Sequence, residues 1–557
     1  MSMSYREVYD EWITNLHFDE KTRQELEAIA GNESEIEERF YQELEFGTGG
    51  MRGILGAGIN RINRYTILRA TQGLANIIRE EKGTEKGVVI AYDSRNLSAE
   101  LAMEAAKCLA ANGIKTYLFS SLRPTPLLSF AVRELACIAG IVITASHNPA
   151  RYNGYKVYWE DGAQITAPRD KQITAAICAI TDYTSPLSMS KIEAIELGRL
   201  IMIDKEVDNQ YFKELKKAVI GKEMIRHHGG DIRIVYTPLH GAGAEPVKRI
   251  LQELGFSDVH VVAEQMRPDG NFPTVDSPNP EEKKAFVKAI ALAKKVDADI
   301  VLATDPDADR VGIYAKETKG VYVPFTGNMS AAILLEYVLT QKKKRKILPT
   351  NGAVVTTIVS GNMGKRIAKE YGLTVFETLT GFKYIGQMMN RFEDTKEYTF
   401  QFGYEESYGC LLGTYARDKD AVMAVAALCE AALFYKIKGA TLPAQMENLY
   451  QKYGYYYESL GTVTLAGKAG NEKIRQVIEG VRNQPPKNIS GRGVTVFKDY
   501  EKENVLFFIL EDEAWCCIRP SGTEPKIKFY AGMKERNDEK ARVQGEELLS
   551  TVMKWIK

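Results

Sequence analysis

Short apolar runs that stop abruptly at polar or glycine-rich loops recur along the chain. Val88–Tyr92 runs into Asp93-Ser94-Arg95, Ile138–Thr144 into Ser146, and Ile232–Tyr236 into Thr237-Pro238-Leu239-His240-Gly241. Asp299–Thr304 leads to Asp305, and Tyr398–Phe402 to Gly403-Tyr404-Glu405. Stretches of helical period lie between them, among them Ser98–Asn112 and Pro280–Val296. Alternating buried strands and helices predict α/β domains whose sheets are covered on both faces. In such sheets ligands gather beyond the carboxyl ends of the strands, where every polar loop named here falls. Arg310–Val323 reads as a hairpin around Thr318-Lys319-Gly320, and Asp182–Ser188 as a linker before a charged helical region. From Tyr455 the pattern changes to alternating strands with one helix near Asn471–Asn483, then Pro485-Pro486 and more strands. The expected fold class is therefore three α/β domains, over 1–205 (with an N-terminal helical extension), 206–323 and 324–452, plus a smaller C-terminal α+β domain over 453–557.

A chain of 557 residues is too long for one core, which agrees with several domains. Lys+Arg and Asp+Glu both number 73, so the balance gives no basic surplus and argues against nucleic acid as a main partner. Positive charge for an anionic substrate has to be local to a pocket. The seven cysteines, an odd number without metal-ligand spacing, read as buried free thiols of a reducing cytoplasm. The apolar run Ala421–Leu428 falls well short of the ~20 residues of a membrane span, and no signal peptide is evident, so no membrane association is expected.

Three segments carry candidate chemistry. Ser146 follows a buried strand in Thr144-Ala145-Ser146-His147-Asn148-Pro149. Asn148-Pro149 forces a turn there, which should expose the serine hydroxyl as a carrier of a phosphoryl group. A nucleophile elbow of the hydrolase kind needs glycines two positions either side, where this chain has Thr144 and Asn148. Asp305, Asp307 and Asp309 alternate, so extended backbone would project all three carboxylates to one side, a set of hard donors suited to Mg²⁺. A helix-loop-helix calcium site is excluded, because Arg310 and Lys316 stand where glycine and glutamate are needed. Arg310 could hold a phosphate oxygen beside the metal. Arg519, Ser521, Gly522 and Thr523 form a donor-rich loop able to wrap a second phosphate. No P-loop pattern is present, so a phosphoryl donor within the protein itself is favoured over a nucleotide. The long loop Gln265–Pro280 offers no residue with an evident chemical task.

Together, and in this order, these segments resemble the α-D-phosphohexomutase family. Gly47-Thr48-Gly49-Gly50-Met51-Arg52-Gly53 looks like its N-terminal loop, Thr380-Gly381-Phe382-Lys383 like its specificity loop and Gly403-Tyr404-Glu405-Glu406-Ser407-Tyr408-Gly409 like its sugar loop. The resemblance implies four domains in a heart-shaped arrangement around a central cleft, the last one mobile. It implies Arg52 facing a phosphoserine, and Glu405 and Ser407 holding sugar hydroxyls. The sugar loop is closer to that of phosphoglucomutases, including long Gram-positive forms. The implied reaction is interconversion of α-D-glucose 1-phosphate and glucose 6-phosphate through glucose 1,6-bisphosphate. Phosphopentomutase and phosphomannomutase activities by the same route are the alternatives, with a metal-dependent phosphatase behind them. On this reading Ser146 carries the phosphoryl group and, with Asp305, Asp307 and Asp309, ligates Mg²⁺. Arg52, His147, Lys156 and Arg310 neutralise charge, while Lys383 contacts substrate. Lys156, His147 and Lys383 stay open as candidates for the base. The expected partners are small sugar phosphates.

Overall fold

The computed structural model describes residues 4–47, 50–465, 467–520 and 526–556. Its strands form four sheets. The first runs, in spatial order, Gly50–Ile54, Tyr152–Trp159, Ala139–Ile143, Val88–Tyr92, Thr116–Phe119 and Leu200–Ile203. Its last four strands are parallel, and Tyr152–Trp159 is antiparallel to both of its neighbours. The second sheet orders Tyr322–Phe325, Val311–Lys316, Ile300–Thr304, Ile234–Thr237 and Val259–Val261, the last three parallel. Its first two strands form the expected hairpin. In the third, Thr374–Thr378, Gly352–Thr357 and Thr399–Glu405 are parallel and Gly409–Leu411 returns antiparallel. Three mixed sheets thus match the expectation.

Central parallel strands such as Ala139–Ile143 and Ile300–Thr304 are buried at every position, whereas edge strands such as Thr374–Thr378 are partly exposed. The run that begins at Ala421 continues as a helix to Ile437 and is apolar on nearly every side, as befits a helix enclosed by neighbours. Among the described residues no helix is long and apolar enough to cross a membrane. All seven cysteines are free; six are buried and Cys178 is exposed. One helix differs from its predicted extent. Lys283–Phe286 is a 3₁₀ turn, and the α-helix starts only at Val287, since Pro278 and Pro280 hold the preceding chain out of helical backbone.

The fourth sheet is antiparallel throughout: Tyr455–Thr464, Lys526–Glu535, Trp515–Pro520, Val505–Leu510, Arg492–Tyr500 and Asn488–Ile489. Alternation along one strand explains its docking. Leu506, Phe508 and Leu510 point into a core shared with the helices Gly467–Asn483 and Asp538–Met553. Val505 and Phe507 point the other way, with Trp515 and Tyr530, onto Ile358 and Val359 beside the third sheet. Each such side chain removed from water contributes about 1.5–3 kcal/mol. Lys528, paired with Arg519 in this sheet, comes within electrostatic reach of Arg310 of the second sheet.

Candidate active site

The loop after Ala139–Ile143 turns as Asn148-Pro149 requires, yet Ser146 is only 2% exposed. The expectation of an exposed hydroxyl is thus corrected. The loop folds beneath the aspartate loop of the second sheet, and the Ser146 hydroxyl donates to Asp305 Oδ2 at 2.8 Å. Ser146 has φ of +51°, a left-handed conformation uncommon for a residue with a Cβ. Surrounding bonds over-determine it, as such strain demands. Its amide donates to Thr144 Oγ1 at 2.8 Å. The buried Arg95 guanidinium spans the loop, donating to the carbonyls of Ser146, Asn148, Pro149 and Tyr152. Asp93 braces this frame, accepting from Thr144 Oγ1 at 2.6 Å and from the Arg95 amide at 2.9 Å. Burial pushes the Asp93 carboxyl up, against the pull of Arg95. Sequence reasoning used Asp93-Ser94-Arg95 only to mark a strand end. An arginine at the carboxyl edge of a strand beside the serine strand was the available signal.

Asp305, Asp307 and Asp309 do converge: an oxygen of each lies within 4.8 Å of the others. Extended alternation is not the cause, and that expectation is also corrected. The segment is a tight turn closed by the Ala308 amide on the Asp305 carbonyl (3.0 Å), with Ala308 at φ +49°. Pro306 favours the turn and deprives extended pairing of a donor. Asp305 Oδ1 accepts the amides of Asp309 and Arg310 at 3.1 and 3.0 Å, which fixes the loop about its own carboxylate. Lys156 Nζ lies 2.9 Å from Asp307 Oδ2, where Thr125 Oγ1 also donates at 2.8 Å. Lys419 Nζ lies 2.8 Å from Asp309 Oδ2. Burial and the two neighbouring carboxylates drive the Asp305 carboxyl well above its usual range. Burial acts the same way on Asp307, but the Lys156 ammonium and the hydrogen bonds overcome it and hold that carboxyl well below.

The donor set fits a divalent cation on its own evidence. Asp307 Oδ1 and Asp309 Oδ1 are buried and lack any hydrogen-bond partner. Orphaned carboxylate oxygens in a buried site are costly unless a cation takes them, and all-oxygen donors suit Mg²⁺.

Arg52, Arg310 and Lys528 lie within electrostatic reach of His147, the neighbour of the serine. His147 Nδ1 lies 3.1 Å from Ser146 Oγ, and burial, reinforced by Arg310 and Arg52, holds its pKa well below the ordinary value, so the ring is neutral near pH 7. Arg52 donates to Asn148 Oδ1 at 3.1 Å from the strand Gly50–Ile54. Arg310 is paired with Glu281 at 2.5 Å and keeps one buried Nε–H without an acceptor. Lys419 and Lys528 were missed by sequence reasoning. Lys528, next to Arg310 and Arg519, is lowered by burial and by both arginines. Lys419 had a readable signal in Arg417-Asp418-Lys419-Asp420, a charged run just before the apolar helix.

The remaining candidates occupy other walls. Glu405, buried, accepts the Gly381 amide at 2.9 Å, and burial raises it to about 7. Ser407 sits on the turn that follows it, partly buried. Lys383 opens the helix Phe382–Thr395, and burial lowers it to about 8. Arg519 ends the strand Trp515–Pro520. Ser521, Gly522 and Thr523, like Thr48 and Gly49, lie outside the described residues. The loop Gln265–Pro280, without an evident task in sequence, clasps the serine loop. Ser277 Oγ donates to the His147 carbonyl at 3.1 Å, and Phe272 lies under Arg95 at 5.1 Å.

A serine, a carboxylate triad and a group of cations, presented at strand ends across several α/β layers, define a class of enzymes built to handle phosphate on a small substrate. The chain belongs to the phosphoglucomutase/phosphomannomutase family: its α/β/α domains I, II and III match residues 43–184, 209–320 and 326–453. A phosphoglucomutase from Staphylococcus aureus (strain MSSA476) is 37% identical over 91% of this chain and 92% of its own length. One from Staphylococcus haemolyticus is 36% identical over 90% of this chain and 92% of its own length. In fold, the chain is similar to a phosphoglucomutase/phosphomannomutase family protein from Burkholderia thailandensis. That structure has a TM-score of 0.67 and 20% identity, covering 92% of this chain and 97% of the other. The expected family and enzyme class therefore stand.

Proposed function

We propose that this enzyme interconverts α-D-glucose 1-phosphate and glucose 6-phosphate, with Ser146 as a reversible phosphoryl carrier. The observation that carries the reading is the Ser146 hydroxyl, 2.8 Å from Asp305 within a buried carboxylate triad. The family membership and the phosphoglucomutase relatives support the sugar. Asp305, Asp307, Asp309 and Ser146 would hold Mg²⁺, which supplies Lewis-acid stabilisation of charge on the phosphoryl oxygens.

Phosphoryl transfer leaves a protein mainly positioning and electrostatic work. Arg95 and Asp93 fix the serine backbone, while Arg52, Arg310 and Lys156 offset the charge of a phosphoserine. Arg519 with Ser521, Gly522 and Thr523 would clamp the substrate's own phosphate, and Glu405 and Ser407 its ring hydroxyls. The free hydroxyl of the sugar gives up its proton to a base and attacks the phosphoserine phosphorus as the bond to Ser146 Oγ breaks. The serine oxygen takes up a proton, leaving the free hydroxyl and glucose 1,6-bisphosphate. After that molecule turns over in the cleft, its other phosphate returns to Ser146. Lys383, lowered to about 8 by burial, is a group that can exchange a proton near neutrality.

The domain division proposed is 1–205, 206–323, 324–452 and 453–557, in a reducing cytoplasm. Substrate labelled in its phosphate tests the reaction. Label retained on sugar supports a mutase, and release as inorganic phosphate supports the phosphatase alternative. Rates on glucose, mannose, N-acetylglucosamine and ribose 1-phosphates separate phosphoglucomutase from phosphomannomutase and phosphopentomutase.

A further inference from the structure

A cavity of about 720 Å³ opens where the first three layered units meet. Its walls include Phe130 of the helix Thr125–Glu134, Val219, and Val338 with Lys342 and Arg345 at the end of the helix Gly327–Lys344; Tyr415 closes it. None of the serine, aspartate, sugar-loop or Arg519 groups lines it. The volume is that of a small-molecule site, and its lining joins apolar surface to a few charges.

The lining carries Arg133, Lys217, Lys342 and Arg345 against Glu134 and Glu214, an excess of two positive charges. Lys342, partly buried, has as its hydrogen-bond partner the neutral amide oxygen of Gln401 at 2.8 Å. Arg345 is exposed, and its charge acts on the buried Glu430 carboxylate without a direct salt bridge among the described residues. A basic run at a helix end is ordinarily a solvated complement to the helix dipole. Lys342 departs from that, because it is partly buried, loss of hydration lowers its pKa, and its hydrogen bond goes to a neutral amide. An anion in the cavity would compensate its charge.

Two cavity walls run directly to the candidate active site. The helix that contributes Phe130 begins at Thr125, whose hydroxyl and amide donate to Asp307 at 2.8 and 2.9 Å. Tyr415 donates to Asp420 at 2.7 Å, and the neighbouring Lys419 grips Asp309 at 2.8 Å. The two walls are tied to each other where the Arg417 amide donates to Ser129 Oγ at 2.8 Å.

We propose that this cavity binds a small organic anion, an apolar body with a phosphate, sulfonate or carboxylate head held by Lys342 and Arg345, and that its occupancy alters turnover through the Thr125–Asp307 and Lys419–Asp309 contacts. The site is separate from the substrate cleft, so the binding test is independent of which sugar the enzyme uses. The probe is 8-anilinonaphthalene-1-sulfonate, titrated by fluorescence into the full-length enzyme and into the Lys342→Ala/Arg345→Ala variant. Arg345→Glu alone serves as a second variant that leaves the Gln401 contact in place. Thermal melting checks folding. Expected is saturable binding to the parent, weakened about tenfold or more in both variants, the scale of a lost charged hydrogen bond. At saturating substrate, kcat should shift with probe in the parent and not in the variants. Equal affinity in parent and variants, or a parental kcat unmoved by saturating probe, overturns the proposal.

Discussion

Phosphorylation of Ser146 should tighten Mg²⁺ binding by about a hundredfold or more. Three carboxylates meet two ammonium groups at the triad, Lys156 at 2.9 Å from Asp307 and Lys419 at 2.8 Å from Asp309. With all three carboxylates ionised, as metal ligation requires, the balance is one negative charge, which a divalent ion reverses to one positive charge. The Ser146 hydroxyl already touches Asp305 at 2.8 Å, so a phosphoryl group there would be a close neighbour of an ion held by the triad. It brings a charge of about −1.5 to −2. Two unit charges about 4 Å apart interact by about 1 kcal/mol even at the dielectric of water. The product of charges then gives at least about 3 kcal/mol, or roughly a hundredfold in Kd. Isothermal titration calorimetry of Mg²⁺ into protein phosphorylated by glucose 1,6-bisphosphate, and into protein stripped of phosphate, measures the difference directly. Equal Kd values in the two forms would refute the charge argument.

Three further outcomes are expected. Lys419→Met removes the nearer of two ammonium groups at Asp309, leaving Lys156 at 3.8 Å. It should cost less than the about 3–5 kcal/mol of a wholly unpaired buried charge in metal-free protein, read as a lower melting temperature that Mg²⁺ largely restores. The pH profile of kcat/KM should be bell-shaped. Glu405, raised to about 7, becomes the ionised acceptor of sugar hydroxyls as pH rises, while Lys383, lowered to about 8, loses its charge above that. Glu405→Gln should remove the acid limb and Lys383→Met the alkaline one; limbs that persist in both variants would reassign them. Arg519→Ala should weaken substrate binding by about 1.5–3 kcal/mol, seen as a raised KM, and an unchanged KM would count against the phosphate clamp.

The layered fold was legible because parallel strands enclosed by helices are largely apolar, as Ala139–Ile143 and Ile300–Thr304 are. Ser146 and the three aspartates stood out because each follows such a run. What sequence could not supply was depth. Ser146 is buried by a loop 159 residues away in sequence, and no local pattern encodes that contact. Alternation of aspartates in sequence suits both a strand and a turn, and Pro306 with the left-handed Ala308 selects the turn. Arg95, Lys419 and Lys528 escaped notice for a related reason. Each is an ordinary cation in its own segment and gains meaning only from a carbonyl, a carboxylate or another cation brought to it by a different sheet. The loop Gln265–Pro280 likewise acts through Ser277 and Phe272 on residues of the first sheet's loops.

The most direct test is peptide mass spectrometry of the enzyme after incubation with glucose 1,6-bisphosphate and Mg²⁺, followed by addition of glucose 1-phosphate. One phosphoryl group on the peptide holding Ser146, discharged to sugar in the second step and absent from Ser146→Ala, is the predicted result. A Ser146 that stays unmodified while the enzyme turns over would contradict the account.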